Sequence, residues 1–324
     1  MKILLVSYRF PPFNSIGAVR IGKLAKYLAR SGHEVKVLTC GDQPLPKTLV
    51  LEMVPQDVIY TASLDVNYPI NRALGGNEKI ATKGYDIGGR GFLRKLKGLA
   101  DVYKAFTNLP DAQIGWYPPA VKKGKELIEE WKPDVIYASG HPLTSLLVAA
   151  SLSRWSGLPW VAELRDLWAD NPYNKIFRLR SMLDLWLERR TLTSARALVT
   201  VTPGFVKALT DKYPGKPVTL ALNGFDTEDY QTPSHSHFES GYVHIVYTGL
   251  LYEGKRDPEK LFQAIESMGE DASRFRIHFY GRNMSFLWGM LDKRRVKDCV
   301  EIHDPVPYAE SVSLQKAADI LLLI

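Results

Sequence analysis

Short runs of branched apolar residues alternate along this chain with longer segments whose apolar residues recur every three or four positions. That rhythm limits it to a small set of folds. Residues 2–7 read as a strand, and Val19, Leu24, Tyr27 and Leu28 mark one face of a helix over 19–29. Gly32 ends that helix, and 34–38 returns as a strand. Strand, glycine-capped helix and strand make a β-α-β unit, whose strands run parallel. The pattern recurs as strand 134–138, helix near 142–155, strand 160–163, helix 178–193, strand 197–201 and helix 205–212. A polar linker, 232–240, interrupts it. It resumes as strand 243–247, helix 258–268, strand 275–279, helix 286–293, strand 300–303, helix 309–318 and strand 320–324.

The spacing predicts an α/β protein of two tandem doubly wound, Rossmann-like domains, 1–222 and 223–324. Ligands are expected at the carboxyl ends of the strands. The length of 324 residues agrees, at roughly 150 residues per domain. Between 63 and 119 the rhythm breaks: Gly75-Gly76, Gly84, Gly88-Gly89 and Gly91 punctuate a flexible insertion. The chain stops at Ala318-Asp-Ile-Leu-Leu-Leu-Ile324, inside an apolar run, so the second domain is expected to be cut short.

Composition removes several function classes. Apolar residues at 45% and charged residues at 24% exclude a disordered or fibrous chain. Cys40 and Cys299 lie far apart, which excludes a disulfide scaffold and a zinc ribbon and fits a reducing compartment. The N-terminal apolar run is too short for a signal peptide, and 143–152 is too short to span a bilayer. A cytoplasmic protein is expected. The net charge of +7 is an average over unlike halves: 1–222 carries 31 basic and 19 acidic side chains, 223–324 carries 11 and 16. A first domain at +12 fits an anionic membrane surface, a phosphorylated substrate or nucleic acid. Its basic residues follow no nucleic-acid recognition motif, so no nucleic-acid partner is expected. Residues 92–106 place Phe92, Leu96, Leu99, Tyr103 and Phe106 on one face with Arg94, Lys95 and Lys97 beside it. That suits peripheral docking on anionic headgroups, or a half-buried surface helix.

Candidate site residues cluster where strands end. Gly17, behind the loop Phe10-Pro-Pro-Phe-Asn-Ser15, lets a backbone approach a ligand, or serves a tight turn. Arg20 follows one turn later, facing the same cleft or solvent. His141, in Ser139-Gly-His-Pro142, is a candidate acid, base or hydrogen-bond donor, or a structural histidine. Arg165 and Asp166 follow the strand at 160–163, as cleft-facing groups or a local ion pair. In the second domain Gly249 ends a strand, and Lys255-Arg256-Asp257-Pro258 precedes a helix, which resembles a phosphate cradle. A solvated pair of cations is the alternative. Asn223-Gly224 at the domain boundary favours a turn. His235 and His237 have no companion ligands, and no metal site is read from the sequence.

In order and spacing these pieces resemble the GT-B glycosyltransferases of glycosyltransferase family 4. The matching stretches are Tyr8-Arg-Phe-Pro-Pro12 with Gly17, the run from Ser31 to Thr39, Pro133 to Tyr137, Glu163 to Trp168, Val199 to Thr202, Asn223 to Asp226, and Tyr247-Thr-Gly249 with Gly254 to Pro258. The resemblance implies retaining transfer of a sugar from a nucleotide-sugar donor, without an essential metal or any cofactor. It implies an acceptor-side first domain and a donor-binding second domain. Gly17, Gly249, Lys255 and Arg256 would then hold the donor diphosphate. His141 and Asp166 would be the catalytic candidates, and Arg20, Arg165 and Asn223 would face the acceptor or cleft. Many members place an arginine directly after the glycine at the end of the second domain's first strand; here that residue is Leu250. The family's glutamate pair and closing helix would lie downstream of Ile324, so this chain is expected to be weak or inactive alone. The expected role is sugar transfer to a lipid-linked or saccharide acceptor in cell-envelope polysaccharide synthesis, with peripheral contact at the inner membrane face. The alternative is a non-catalytic module of the same fold that docks on membrane or acceptor.

Overall fold

A computed structural model describes residues 1–67, 103–170, 178–231, 238–292 and 294–324. The chain divides into two compact units, Met1–Gly224 and Phe225–Ile324.

The first unit is built on a seven-stranded sheet, all parallel. Its strands are β1 (Lys2–Val6), β2 (Glu34–Cys40), β3 (Val58–Thr61), β4 (Val135–Gly140), β5 (Trp160–Leu164), β6 (Ala197–Thr200) and β7 (Val218–Leu220). They lie in the order 3-2-1-4-5-6-7. Strand β1 pairs with β2 on one side and β4 on the other, with Leu5 between Val37 and Tyr137. The order therefore reverses between β1 and β4, and their carboxyl ends, at Ser7 and Gly140, frame the position where open α/β sheets bind ligands. Interior strands are buried on both faces, which explains their unbroken apolar runs; Leu4, Leu5 and Val6 are all fully buried. The edge strands β3 and β7 are short and leave no such signature in the sequence.

Helices cover the sheet. In α1 (Ile16–Arg30), the Ser15 side chain caps the N-terminus by accepting from the Ala18 N–H. Helix α2 (Tyr117–Trp131) starts with Pro118 in its first turn. It is preceded by Trp116, fully buried, whose indole N–H donates to Thr61 Oγ1 at 2.7 Å. Trp116 is thus core, although it falls in the stretch whose glycines suggested a loose insertion. The predicted amphipathic segment 92–106 lies outside the described residues except for 103–106, which are helical. The histidines at 235 and 237 also lie outside them.

Helices α3 (Thr144–Ser156), α4 (Arg178–Leu192) and α5 (Pro203–Lys212) follow. Helix α4 is inverted. Its buried residues are Arg180, Asp184, Glu188, Thr191 and, at its end, Leu192, while Leu179, Met182 and Trp186 are 55%, 67% and 57% exposed. Arg180 bonds Asp184 at 2.7 Å and donates to the carbonyls of Ala105, Asn108 and Pro110. Glu188 accepts from Ala169 N, Lys212 Nζ and Tyr213 Oη. Every buried charge on this face is matched, as a buried charge must be.

The second unit has a four-stranded parallel sheet in the order β10-β9-β8-β11, with β8 (Val243–Thr248), β9 (Phe275–Tyr280), β10 (Val300–His303) and β11 (Ile320–Leu321). Helices α6 (Glu259–Ser267), α7 (Phe286–Leu291) and α8 (Tyr308–Ala317) accompany it. Phe262, Ile265, Leu287 and Leu291 pack with Ile245, Ile277 and Phe279 as its core. The last strand is shorter than the 320–324 its apolar run suggested. It pairs on one side only, through Ile320–Ile245 and Leu321–Val246, and Leu323 is 95% exposed.

Candidate functional site

The carboxyl ends of β4 and β5 and the first turn of α1 bring Gly17, Arg20, His141, Arg165, Asp166 and Asn223 into one neighbourhood of the first unit. Its hub is Glu163, 1% exposed, in the middle of an apolar strand. One carboxylate oxygen accepts from Arg20 Nε at 3.0 Å and Nη2 at 2.8 Å, and the other accepts from Ser139 Oγ. The remaining Arg20 protons go to the carbonyls of Ala221 (2.8 Å) and Leu222 (3.0 Å) and to Asn223 Oδ1 (3.1 Å). All five guanidinium donors of Arg20 are therefore used within the protein. It holds α1, β5 and the 221–223 strand exit together, which is a positioning task rather than a free cation facing a cleft. Asn223 is one of its partners. Burial, and then the Glu163 charge, push the Tyr137 hydroxyl well above its ordinary range, so Tyr137 stays protonated beside the carboxylate.

Arg165 donates from Nε to the Gly140 carbonyl at 2.9 Å and from Nη2 to the His141 carbonyl. Its third nitrogen lies over Gly17, where an added Cβ would meet Nη1 at 2.4 Å. The space that Gly17 leaves open is thus filled by the Arg165 guanidinium. A glycine is required there for a contact internal to the unit. Burial works against the Arg165 charge, and Glu163 and Asp166 support it.

The His141 ring presents a shielded Nε2 with no hydrogen-bond partner and with Asp166 Oδ2 at 3.8 Å. Burial pulls its pKa below the ordinary 6.5, against the opposing pull of Asp166 and Asp111. Asp111 is engaged at the start of α3, accepting from Thr144 N at 2.9 Å and Thr144 Oγ1 at 2.7 Å. A neutral imidazole with an unused nitrogen beside an exposed carboxylate can take or give one hydrogen bond to a ligand hydroxyl. Trp168, at 2% exposure, is core.

In the second unit, Gly249 donates from its N–H to the Tyr280 carbonyl at 3.0 Å. Gly281 admits the Gly249 carbonyl, which would stand 2.1 Å from a Cβ placed there. The exits of β8 and β9 are held close for that reason. The loop beyond is a tight turn: Tyr252 N donates to the Arg256 carbonyl at 2.9 Å, and Lys255 N and Arg256 N both donate to the Tyr252 carbonyl. Gly254 takes the left-handed conformation the turn requires, at φ +69°. The turn exposes Lys255 and Arg256 side by side, with the Arg256 guanidinium 5.8 Å from the centre of the Tyr252 ring. Helix α6 starts at Glu259, one residue later than its proline suggested, with Pro258 at the cap position. Asp257 Oδ1 accepts from Glu259 N at 3.1 Å. Below the turn, Gln315 of α8 donates to Thr248 Oγ1 at 2.7 Å and accepts from Tyr230 Oη at 2.9 Å, which secures the end of β8.

Sequence reasoning missed Glu163 as a hub, together with Ser139 and Gln315. Only Glu163 left a signal, a lone carboxylate in the apolar run Trp160-Val-Ala-Glu-Leu164.

Residues 17–224 match the family described as glycosyl transferase 4-like domain. The sucrose-phosphate synthase of Thermosynechococcus elongatus is similar in structure, with a TM-score of 0.60 and 12% identity over 99% of this chain and 74% of that one. Anabaena HepE, solved in complex with UDP, has a TM-score of 0.59 and 13% identity over 99% and 73%. WaaB, a lipopolysaccharide outer core galactosyltransferase, has a TM-score of 0.53 and 13% identity over 100% and 74%. No curated protein matches the chain. No helix among the described residues is long and apolar enough to cross a membrane. With two parallel sheets of seven and four strands, the chain has the GT-B fold and belongs to the glycosyl transferase 4-like family.

Proposed function

We propose that this glycosyltransferase moves a sugar, with retained anomeric configuration, from a nucleotide-sugar donor to a lipid-linked or saccharide acceptor in cell-envelope polysaccharide synthesis. The observation that carries the reading is the family match over residues 17–224. The presence of UDP in the HepE structure and the galactosyl transfer named for WaaB support a nucleotide-sugar donor.

In this reading the second unit binds the donor diphosphate. Gly249 leaves room at the end of β8, and Lys255 and Arg256 bear the charge that develops as the diphosphate departs. No metal or cofactor is assigned a step. The bond from the anomeric carbon to the diphosphate oxygen breaks, and the acceptor hydroxyl oxygen bonds to that carbon on the same face. The hydroxyl proton passes to an oxygen of the leaving phosphate. His141, neutral and with Nε2 unused, hydrogen-bonds a sugar hydroxyl, and Asp166 lies within reach of the same group. Arg165 and Gly17 shape the floor on which these two sit; Arg20 and Asn223 fix the strand exits beneath.

The test is release of nucleoside diphosphate from uridine and guanosine diphosphate sugars with polyprenyl-phosphate-linked or oligosaccharide acceptors. Replacing Lys255 and Arg256 together by Ala should lower turnover at least about a hundredfold, the usual scale for losing transition-state charge stabilisation. Unchanged turnover would remove the diphosphate assignment. The inverted helix α4 favours a second reading, a non-catalytic module that docks at a membrane or acceptor; it predicts vesicle association with no donor turnover under any of these conditions.

A further inference from the structure

Three histidines and a glutamate cross the sheet of the second unit, one strand after another. His244 on β8, His278 on β9 and His303 on β10 are stacked, with ring centroids 5.2 Å and 5.6 Å apart. Phe238 stacks on His244 and His278 at 4.7 Å, and Tyr280 lies flat on His303 at 4.3 Å. Glu301 pairs in register with His278 and shares a face of β10 with His303, two residues on. None of these residues belongs to the Gly249–Arg256 turn or to the hub around Glu163.

The protons of this ladder are fixed by its far end. The Glu239 backbone carbonyl can only accept, and it lies 2.8 Å from His244 Nε2, so that nitrogen carries the proton. His244 Nδ1 is then an acceptor, and it lies 2.9 Å from His278 Nε2, which must donate. In the neutral ring this leaves a lone pair on His278 Nδ1. That lone pair faces Glu301 Oε2 at 3.3 Å and His303 Nε2 at 3.4 Å, and His303 Nε2 is a further acceptor in the tautomer that carries its proton on Nδ1. His303 Nε2 and Glu301 Oε2 are themselves 3.3 Å apart.

In that tautomer the three atoms form a near-equilateral triangle of lone pairs, which a cation between them would satisfy. A hydrogen bond would ordinarily bring one pair to about 2.7–3.2 Å, and all three pairs are longer. A tetrahedral ion with ligands at about 2.0–2.1 Å instead holds its ligand atoms about 3.3 Å apart, which is the spacing seen here. Two imidazoles and a carboxylate suit a zinc-type cation over magnesium or calcium, which take oxygen. The chain from Glu239 through His244 supplies the outer hydrogen bond that orients such ligands.

We propose that His278 Nδ1, His303 Nε2 and the Glu301 carboxylate form a site for one divalent transition-metal cation of the zinc type. The half-exposed side of Glu301 and His303 leaves a fourth position to water or an exchangeable ligand. The ion clamps β10 to β9.

The experiment uses the untagged full chain, stripped with a chelator and dialysed against Zn²⁺. One zinc per chain is expected. Glu301→Gln and His303→Asn, at partly exposed positions, should each weaken binding at least tenfold while circular dichroism shows an unchanged fold. His244→Phe keeps the ring stack but removes the acceptor that orients His278, and should weaken zinc about 10–100-fold. Substitution by Co²⁺ should give the intense visible bands of a four-coordinate ion, absent from Glu301→Gln/His303→Asn. Zinc uptake that is absent, or equal in the wild type and that double variant, would overturn the assignment.

Discussion

At the scale of single residues, two side chains decide how the first unit's ligand end is built. Arg20 matches a fully buried carboxylate, and removing one member of such a pair strands the other. Arg20→Met should therefore destabilise the protein by about 3–5 kcal/mol, read from urea unfolding. The loss should exceed any change seen for a surface arginine such as Arg274, whose pairing with Asp271 is exposed. His141 has the opposite character, a ring held neutral by burial. Its folded pKa lies below the unfolded 6.5, so the unfolded chain binds the proton more readily. Its contribution is present above pH 6.5 and is lost as the pH falls through the lower folded value. Unfolding free energies measured between pH 7.5 and 5 should drop less in His141→Asn than in the wild type. Equal slopes would show that the ring is not kept neutral. In turnover, the same shift places the acid limb of a His141-dependent step below 6.5.

At the scale of elements, most of the fold was legible because buried parallel strands have no choice of composition. Lys2–Val6, Trp160–Leu164 and Val243–Thr248 read as strands since both of their faces are covered. Edge strands β3 and β7 escape the same reading, being short and half solvated. The candidate site was legible only where its residues follow a strand's end. Gly17, His141 and Arg165 could be named from position, but what fills the space above Gly17 could not. Arg165 reaches it from just past the end of β5, 148 residues later in the sequence. The histidine ladder was invisible for a related reason: its members are separated by 34 and 25 residues and meet on diagonals of the sheet. Helix α4 shows the limit of periodicity. Its 3.6-residue repeat identified a helix, and the usual inference would bury Leu179, Met182 and Trp186. The structure buries the charged stripe and exposes those three. With Arg178, Arg189 and Arg190 exposed on the same element, this face suits an anionic lipid surface. Trp186→Glu should cut sedimentation with phosphatidylglycerol vesicles several-fold and leave the unfolding midpoint nearly unchanged. Unaltered sedimentation would assign vesicle binding to another surface.

At the scale of the whole molecule, charge is divided unequally, with 31 basic and 19 acidic residues in 1–222 against 11 and 16 beyond. Attraction of a basic unit to an anionic surface is screened over about 10 Å at 0.1 M salt and about 3 Å at 1 M. Vesicle binding should accordingly fall steeply across that range, and it should be weak on phosphatidylcholine alone. Salt-independent binding would point to apolar insertion without electrostatic guidance.

The matched charges beneath α4 have one more consequence. Apolar surfaces tolerate sliding, since contact area changes little when one ridge moves past another. Bonds from Arg180 to the carbonyls of Ala105, Asn108 and Pro110, and to Glu188 from three donors, exist in a single register. The helix is keyed to its seat, so the direction in which Trp186 faces is set by polar partners on the far side. Loss of the Tyr213 hydroxyl, or a shift of the backbone that carries the Ala105, Asn108 and Pro110 carbonyls, would turn that stripe or release it.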